Sequence, residues 1–189
     1  MLDLTRYQKL LSEKGPELRN IVWDTLGEIG FTVNRYDVHN EDGSIQEGGE
    51  IAILEIKGKK NKGAATKDVR QLVDYVERYI SEKKRKPIGI LIVNHYYEEK
   101  TEDRPEPFSS DVKEFVKVLN EGYDEPQDSW SYGRSVGTQV HISKKLSLMT
   151  THDLFEILSM IKNGELGAEN ARKEIINNRG VFDLKRISN

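Results

Sequence analysis

Two stretches of this chain are apolar with almost no alternation: Ile51-Ala-Ile-Leu-Glu-Ile56 and Pro87-Ile-Gly-Ile-Leu-Ile-Val-Asn94. Runs of that length without a polar face are typical of strands covered by helices on both sides. Between them, Thr66–Lys83 carries Val69, Leu72, Val73, Val76, Tyr79 and Ile80 at helical spacing, with Thr66 placed to cap the first turn. Strand, helix and strand in that order predict a βαβ crossover with its two strands parallel in one sheet.

The flanks fill in the rest. Gly15-Pro16 opens an amphipathic helix over residues 17–29, with Leu18, Ile21, Val22, Leu26 and Ile29 on one face and Gly30 as its stop. Residues 31–38 alternate with period two and read as a strand. Asp42-Gly43 and Gly48-Gly49 are turn signals around a short strand or loop at Ser44–Glu47. Further on, residues 97–108 form a polar, proline-containing loop too long for a mere connector. A helix follows over 109–119, capped by Ser109 or Ser110, and then residues 121–144 read as an irregular excursion or a hairpin. A short strand at 145–150 leads into a helix over 151–161, and Ala168–Asn177 is a last, more polar helix. These elements describe an α/β domain over residues 1–163, with 164–189 as a helical tail packed on it or following it.

The 189 residues suffice for one substantial core, and a hydrophobic share of 36% is ordinary for a soluble domain. The absence of cysteine rules out disulfides and thiolate zinc sites. No apolar window is long enough for a transmembrane helix, and Met1-Leu-Asp-Leu-Thr-Arg-Tyr7 lacks a secretory layout, so a cytoplasmic protein with no membrane partner is expected. A net charge of −3 does not announce a nucleic-acid binder. Local charge does more: Lys57, Lys59, Lys60, Lys62, Lys67 and Arg70 cluster directly after the first apolar strand.

That strand also holds the chemistry. Alternation puts Ile51, Ile53, Glu55 and Lys57 on one face and Ala52, Leu54 and Ile56 on the other. Glu55 and Lys57 therefore point the same way at the end of a buried strand, where each ion costs several kcal/mol unless compensated. Taken alone, a strand-end salt bridge accounts for them. Asp42, across the Gly48-Gly49 turn region, can approach Glu55 if the chain doubles back, and two carboxylates at one point call for a cation. Oxygen-only ligands suit Mg²⁺ or Mn²⁺. Gln71 and Tyr75, one turn apart on the following helix, border its apolar stripe on the side toward the strand ends. The four histidines show no metal-ligand spacing. Trp130 and Tyr132 are candidates for stacking on bases or for packing their own loop.

Asp42, then Glu55-Ile56-Lys57, then Gln71-Leu-Val-Asp-Tyr75 resembles the PD-(D/E)XK, or restriction-endonuclease-like, nuclease superfamily. The last segment is similar to the Gln-x-x-x-Tyr motif of RecB-type members. The order of elements over residues 15–95 also matches the family core. Asn94-His95-Tyr96, Arg104-Pro-Glu-Pro-Phe108 and residues 146–158 are similar to a bacterial branch of these proteins. The resemblance implies a central mixed β-sheet flanked by helices and a metal-dependent nuclease, most readily an endonuclease on DNA, with RNA as the other substrate class. By position, Asp42, Glu55 and the carbonyl of Ile56 would hold Mg²⁺ or Mn²⁺. Lys57 would position the attacking water, Gln71 would orient the site, and Tyr75 would support it. Lys59, Lys60, Lys62 and Arg70 would attract the phosphate backbone. Family members often place a further acid on the first helix; Glu17 is the candidate, although Arg19 stands nearer the family position. Glu41 replaces the proline of the family name, and Asp37 and Glu50 are alternative acids to Asp42. Two-strand cutting needs two sites, so the partner expectation includes a homodimer or a subunit of a defence or repair complex. The competing reading is an inactive nuclease-like fold used to bind nucleic acid or to assemble a complex.

Overall fold

β3 (Glu50–Lys59) runs through the interior of a six-stranded sheet, and its alternation divides the core into two layers. The computed structural model describes residues 4–35, 41–131 and 134–187, and within 124–142 the backbone alone. The sheet has the order β1 (Thr32–Asn34), β2 (Ser44–Glu47), β3, β4 (Ile88–His95), β7 (Leu146–Thr150), β8 (Gly180–Val181). β1, β2 and β3 pair antiparallel, whereas β3, β4, β7 and β8 run parallel, so the sheet is mixed.

Ala52, Leu54 and Ile56 face one layer. There they meet Leu18, Val22 and Leu26 of α2 (Gly15–Ile29), Leu154 and Leu158 of α5 (Thr151–Lys162), and Ile175 of α6 (Ala168–Asn177). The short α1 (Lys9–Ser12) adds Leu10. Ile53 faces the other layer with Val69, Leu72 and Val76 of α3 (Thr66–Lys83) and Val112 and Val116 of α4 (Ser110–Glu121). Full burial of each such side chain contributes about 1.5–3 kcal/mol, which is why β3 and β4 tolerate no polar face. Gly89 lets α3 approach β4 closely: a Cβ there would lie 2.7 Å from Leu146 Cδ2 and 3.1 Å from Leu72 Cγ.

Several details depart from the sequence reading. β3 does not end at Lys57 but continues to Lys59, because Gly58 and Lys59 pair in parallel register with Asn94 and His95. Thr66 is not the cap of α3; Ala65 occupies that position, and the Asp68 carboxylate reaches back to accept its N–H at 2.8 Å. The expected strand over 31–38 is seen as β1 over Thr32–Asn34, and residues 36–38 lie outside the described residues. Residues 121–144 hold a hairpin of β5 (Tyr123–Ser131) and β6 (Arg134–Ile142). The Trp130 side chain and Tyr132 lie outside the described residues. α6 shares the main core, and β8 adds a parallel edge strand that two residues are too few to announce.

The loop after β4 is pinned rather than loose. Arg104 donates to Asn94 Oδ1 at 2.9 Å, to the Leu11 carbonyl at 2.6 Å and to the Glu99 carbonyl at 3.1 Å. Asn94 in turn donates to the Glu13 carbonyl at 2.9 Å, tying the end of β4 to the α1–α2 junction. Among the described residues no helix is long and apolar enough to cross a membrane.

Candidate active site

Strand alternation carries Glu55 onto the α3 face of β3, where its side chain is 1% exposed. Lys57 follows on the same face, 26% exposed, and its ammonium ion-pairs with Glu55 Oε1. Apart from that ion pair, neither carboxylate oxygen of Glu55 has a hydrogen-bond partner among the described residues. Burial pushes the Glu55 carboxyl up to about 7; the Lys57 charge opposes this, and the nearby carboxylates of Asp42 and Asp68 add to it. For Lys57, burial works against the charge, but the Glu55 carboxylate outweighs it and holds the ammonium above its ordinary value. Lys57 is thus a firmly protonated cation.

Asp42 arrives from the β2 side. Its N–H donates to the Leu54 carbonyl at 3.1 Å and the Leu54 N–H to the Gly43 carbonyl at 2.9 Å, which extends the β2–β3 ladder. Asp42 Oδ2 accepts the Ile56 N–H at 2.9 Å, and Oδ1 accepts Arg19 Nη1 at 3.1 Å. The N–H and C=O of one strand residue point to the same edge, so the Ile56 carbonyl lies on Asp42's side of β3. The Asp42 carbonyl accepts Trp23 Nε1 at 2.8 Å.

Gly43 makes this turn. Its φ is +95°, and a Cβ would sit 2.6 Å from the Asn34 carbonyl oxygen and 2.9 Å from Trp23 Nε1. Gly43→Ala is therefore expected to destabilise the fold by about 1–3 kcal/mol and to move Asp42 off the edge of β3. Denaturant unfolding against wild type checks the first part; an unchanged midpoint would mean the turn is not under this constraint.

α3 supplies the third side. Gln71 Nε2 donates to Tyr75 Oη at 2.6 Å. Burial raises the Tyr75 pKa, Gln71 lowers it, and the charges of Glu55, Lys57 and Asp42 all reach the ring. A cleft of about 320 Å³ opens along the other edge, lined by Gly15, Pro16, Arg19, Asp42, Ile56, Lys57 and Gly58.

The four basic residues expected at a nucleic-acid surface divide. Lys59 is buried and donates to Asp68 Oδ1 at 2.7 Å, because β3 carries on long enough to turn it inward. It departs from the expected surface cation. Lys60, Lys62 and Arg70 are exposed; Lys60 pairs with Glu98 at 2.8 Å, and Arg70 lies over the Phe115 ring at 5.7 Å.

The alternative acids separate too. Glu17 lines a cavity with Arg6, Lys9 and Asp24 and does not line the cleft beside Asp42, whereas Arg19 does. Glu50 begins β3, five residues and roughly 17 Å from Glu55 along the strand. Asp37 lies outside the described residues. His95 ends β4 opposite Lys59, 7% exposed, with Nδ1 unpartnered. Burial, then Arg104 and His152, pull its pKa down to about 4, outweighing Glu106 and a backbone contact at Val93, so it is neutral at physiological pH. Sequence reasoning missed Asp68 and Trp23. The position of Asp68 in the first turn after Ala65 was the available signal for one; Trp23 gave none.

Among the described residues no group of three or more His, Asp or Glu gathers as a metal site. Asp42, Glu55 and the Ile56 carbonyl would nevertheless supply hard oxygen donors, and the buried Glu55 oxygens, which accept no hydrogen bond among the described residues beyond the Lys57 ion pair, are atoms that a cation would satisfy. That set fits Mg²⁺ or Mn²⁺, since Mg²⁺ retains several waters and needs few protein ligands.

An antiparallel β1–β3 meander entering a parallel βαβ unit, with helices on both faces, is a restriction-endonuclease-like α/β fold. Among solved structures, that of the restriction endonuclease FokI is similar, with a TM-score of 0.58 and 13% identity over 94% of this chain. The chain spans 30% of the FokI chain, so the likeness concerns the fold. No family model and no curated protein matches the sequence.

Proposed function

We propose that this chain is a metal-dependent nuclease that hydrolyses phosphodiester bonds, with DNA as the first substrate to test. The observation that carries the reading is Glu55: a carboxylate buried on a central strand, with the Lys57 ammonium as its partner among the described residues and the Asp42 charge near enough to act on it. A structural salt bridge does not require a second carboxylate there. A hydrolytic site does.

Asp42, Glu55 and the Ile56 carbonyl would hold Mg²⁺ or Mn²⁺, which when bound neutralises phosphate charge and makes a bound water easier to deprotonate. Water adds to phosphorus, one P–O ester bond breaks, and the departing oxygen takes up a proton. Lys57, kept protonated by Glu55, acts as a donor that orients the water and stabilises charge growing on the phosphate oxygens. Gln71 would orient the site and Tyr75 support it from α3, the two being hydrogen-bonded to each other. Lys60, Lys62 and Arg70 would draw the polyanion toward this end of the sheet in a salt-dependent manner.

A second reading keeps the fold for binding alone, and one contact favours it: both Asp42 oxygens already have protein donors, Arg19 and the Ile56 N–H. Mn²⁺ titrated by calorimetry into wild type and Asp42→Asn, with nicking of a supercoiled plasmid followed in parallel, separates the two. The nuclease reading expects Mn²⁺ binding that is lost in Asp42→Asn, together with Mg²⁺-dependent nicking by wild type alone. Salt-sensitive DNA binding with neither metal uptake nor nicking would replace it with the binding module.

A further inference from the structure

Arg19 stands on α2 two residues from Glu17, yet it alone of the pair reaches the site. Its Nη1 donates to Asp42 Oδ1 at 3.1 Å, and its guanidinium lies 5.3 Å from the Trp23 ring centroid. Its Nε is buried without a partner among the described residues, while the side chain as a whole is 36% exposed and lines the 320 Å³ cleft with Lys57. The two carboxylates are therefore unequal. Among the described residues Glu55 has the Lys57 ammonium on Oε1 and no donor on Oε2, whereas Asp42 has a donor on each oxygen, the Ile56 N–H on one and the Arg19 guanidinium on the other.

A divalent ion and a guanidinium compete for Asp42 Oδ1, since each positive charge makes the other less favourable there. Arg19 leaves that oxygen at little cost only if another anion receives it. A phosphodiester is such an anion: a planar guanidinium with unused N–H donors matches two phosphate oxygens, and the cleft beside Lys57 has room for one. We propose that Arg19 couples substrate to metal: a phosphodiester entering the cleft takes over its guanidinium, which frees Asp42 for the cation. The inference rests on the nuclease reading. Its consequence is positive cooperativity, each ligand tightening the other by the same factor. The protein without nucleic acid then takes up metal weakly, and the site becomes complete only on substrate.

The test is Mn²⁺ binding by calorimetry, without and with a short DNA duplex whose bridging oxygens are replaced by methylene groups, so that it keeps its charge and resists hydrolysis. Wild type, Arg19→Met and Arg19→Lys are compared, with melting curves to establish that each is folded. Wild type is expected to bind Mn²⁺ about tenfold or more tightly when the duplex is present. Arg19→Met is expected to bind Mn²⁺ about tenfold more tightly than wild type without duplex, and to gain little on adding it. Arg19→Lys, which keeps the charge but not the fork, should fall between the two. Equal affinity of wild type and Arg19→Met without duplex, or an undiminished duplex effect in Arg19→Met, overturns the coupling. If Arg19→Met does not fold, Arg19→Lys decides: a shift in the same direction supports the coupling, and behaviour identical to wild type overturns it. Should no protein take up Mn²⁺ even with duplex, the nuclease reading itself falls and the coupling with it, a result distinct from Mn²⁺ uptake that ignores Arg19.

Discussion

Lys57→Ala is expected to lower single-turnover DNA cleavage by at least about a thousandfold while leaving duplex affinity within a few-fold of wild type. Two effects add. Removing one donor aimed at developing charge in a partly dry site costs about 10²–10³ in rate. The substitution also strands Glu55, whose only partner among the described residues is the Lys57 ammonium. Losing that partner leaves burial and the neighbouring carboxylates of Asp42 and Asp68 unopposed, so the Glu55 carboxyl rises above its present value of about 7 and loses charge at neutral pH. The site thus forfeits a donor and part of its metal affinity together. On the proposed reading the exposed Lys60, Lys62 and Arg70 would carry the affinity for duplex, and the substitution does not touch them. A folded Lys57→Ala protein that cleaves at the wild-type rate removes this strand end as the catalytic site.

Glu55→Gln is expected to abolish cleavage and yet to raise stability above neutral pH. The Glu55 carboxyl moves from an ordinary 4.5 to about 7 in the folded protein. Between those values the folded state holds a proton that the unfolded chain has released. Stability then falls as pH rises through that window, and the loss is complete above pH 7. The full shift corresponds to roughly 3 kcal/mol. Glutamine does not titrate, so Glu55→Gln has no such slope. It does leave Lys57 without its carboxylate, but at 26% exposure the ammonium still reaches water. The net gain at pH 8 is therefore expected at about 1–2 kcal/mol, or roughly 3–6 °C in Tm for a chain of this size. At pH 5 the two proteins should melt within a degree or two of each other. Melting curves at both values, without divalent ions, give the answer; parallel slopes for the two proteins, or a less stable Glu55→Gln at pH 8, would show that Glu55 is not held in a costly state. Such a cost is what a functional site imposes on a fold that would otherwise do without it.

Both predictions begin from a feature written in the local pattern. A strand buried on both faces shows itself as an unbroken apolar run, so β3 and β4 were legible, as was α3 from its stripe of period 3.6. Period-two alternation places Glu55 and Lys57 on one face, and the structure has them ion-paired. Where alternation depended on how long the strand lasts, the local pattern was insufficient. Lys59 and Lys60 read alike as members of a basic loop. Pairing of Gly58 and Lys59 with β4 turned the first inward to Asp68 and left the second in water. Backbone hydrogen bonding to a partner strand made that difference, and its extent is not a property of the two residues themselves.

The α/β class, the crossover at the centre of the sheet and the sharing of one face by Glu55 and Lys57 are thus written in local pattern, because each follows from the burial period of a single segment. The tertiary structure alone decided which residues meet Asp42. The Asp42-Gly43 pair announced a turn, but the close approach of Gly43 to Asn34 and Trp23 aims the carboxylate at Ile56 and Arg19. Likewise, Glu17 and Arg19 lie two positions apart and so on nearly opposite sides of α2. Which of them looks toward β3 was settled by Leu18, Val22 and Leu26, whose burial sets the rotation of the helix. Contacts between residues far apart in the chain arise from packing of whole elements, and no local period carries that information.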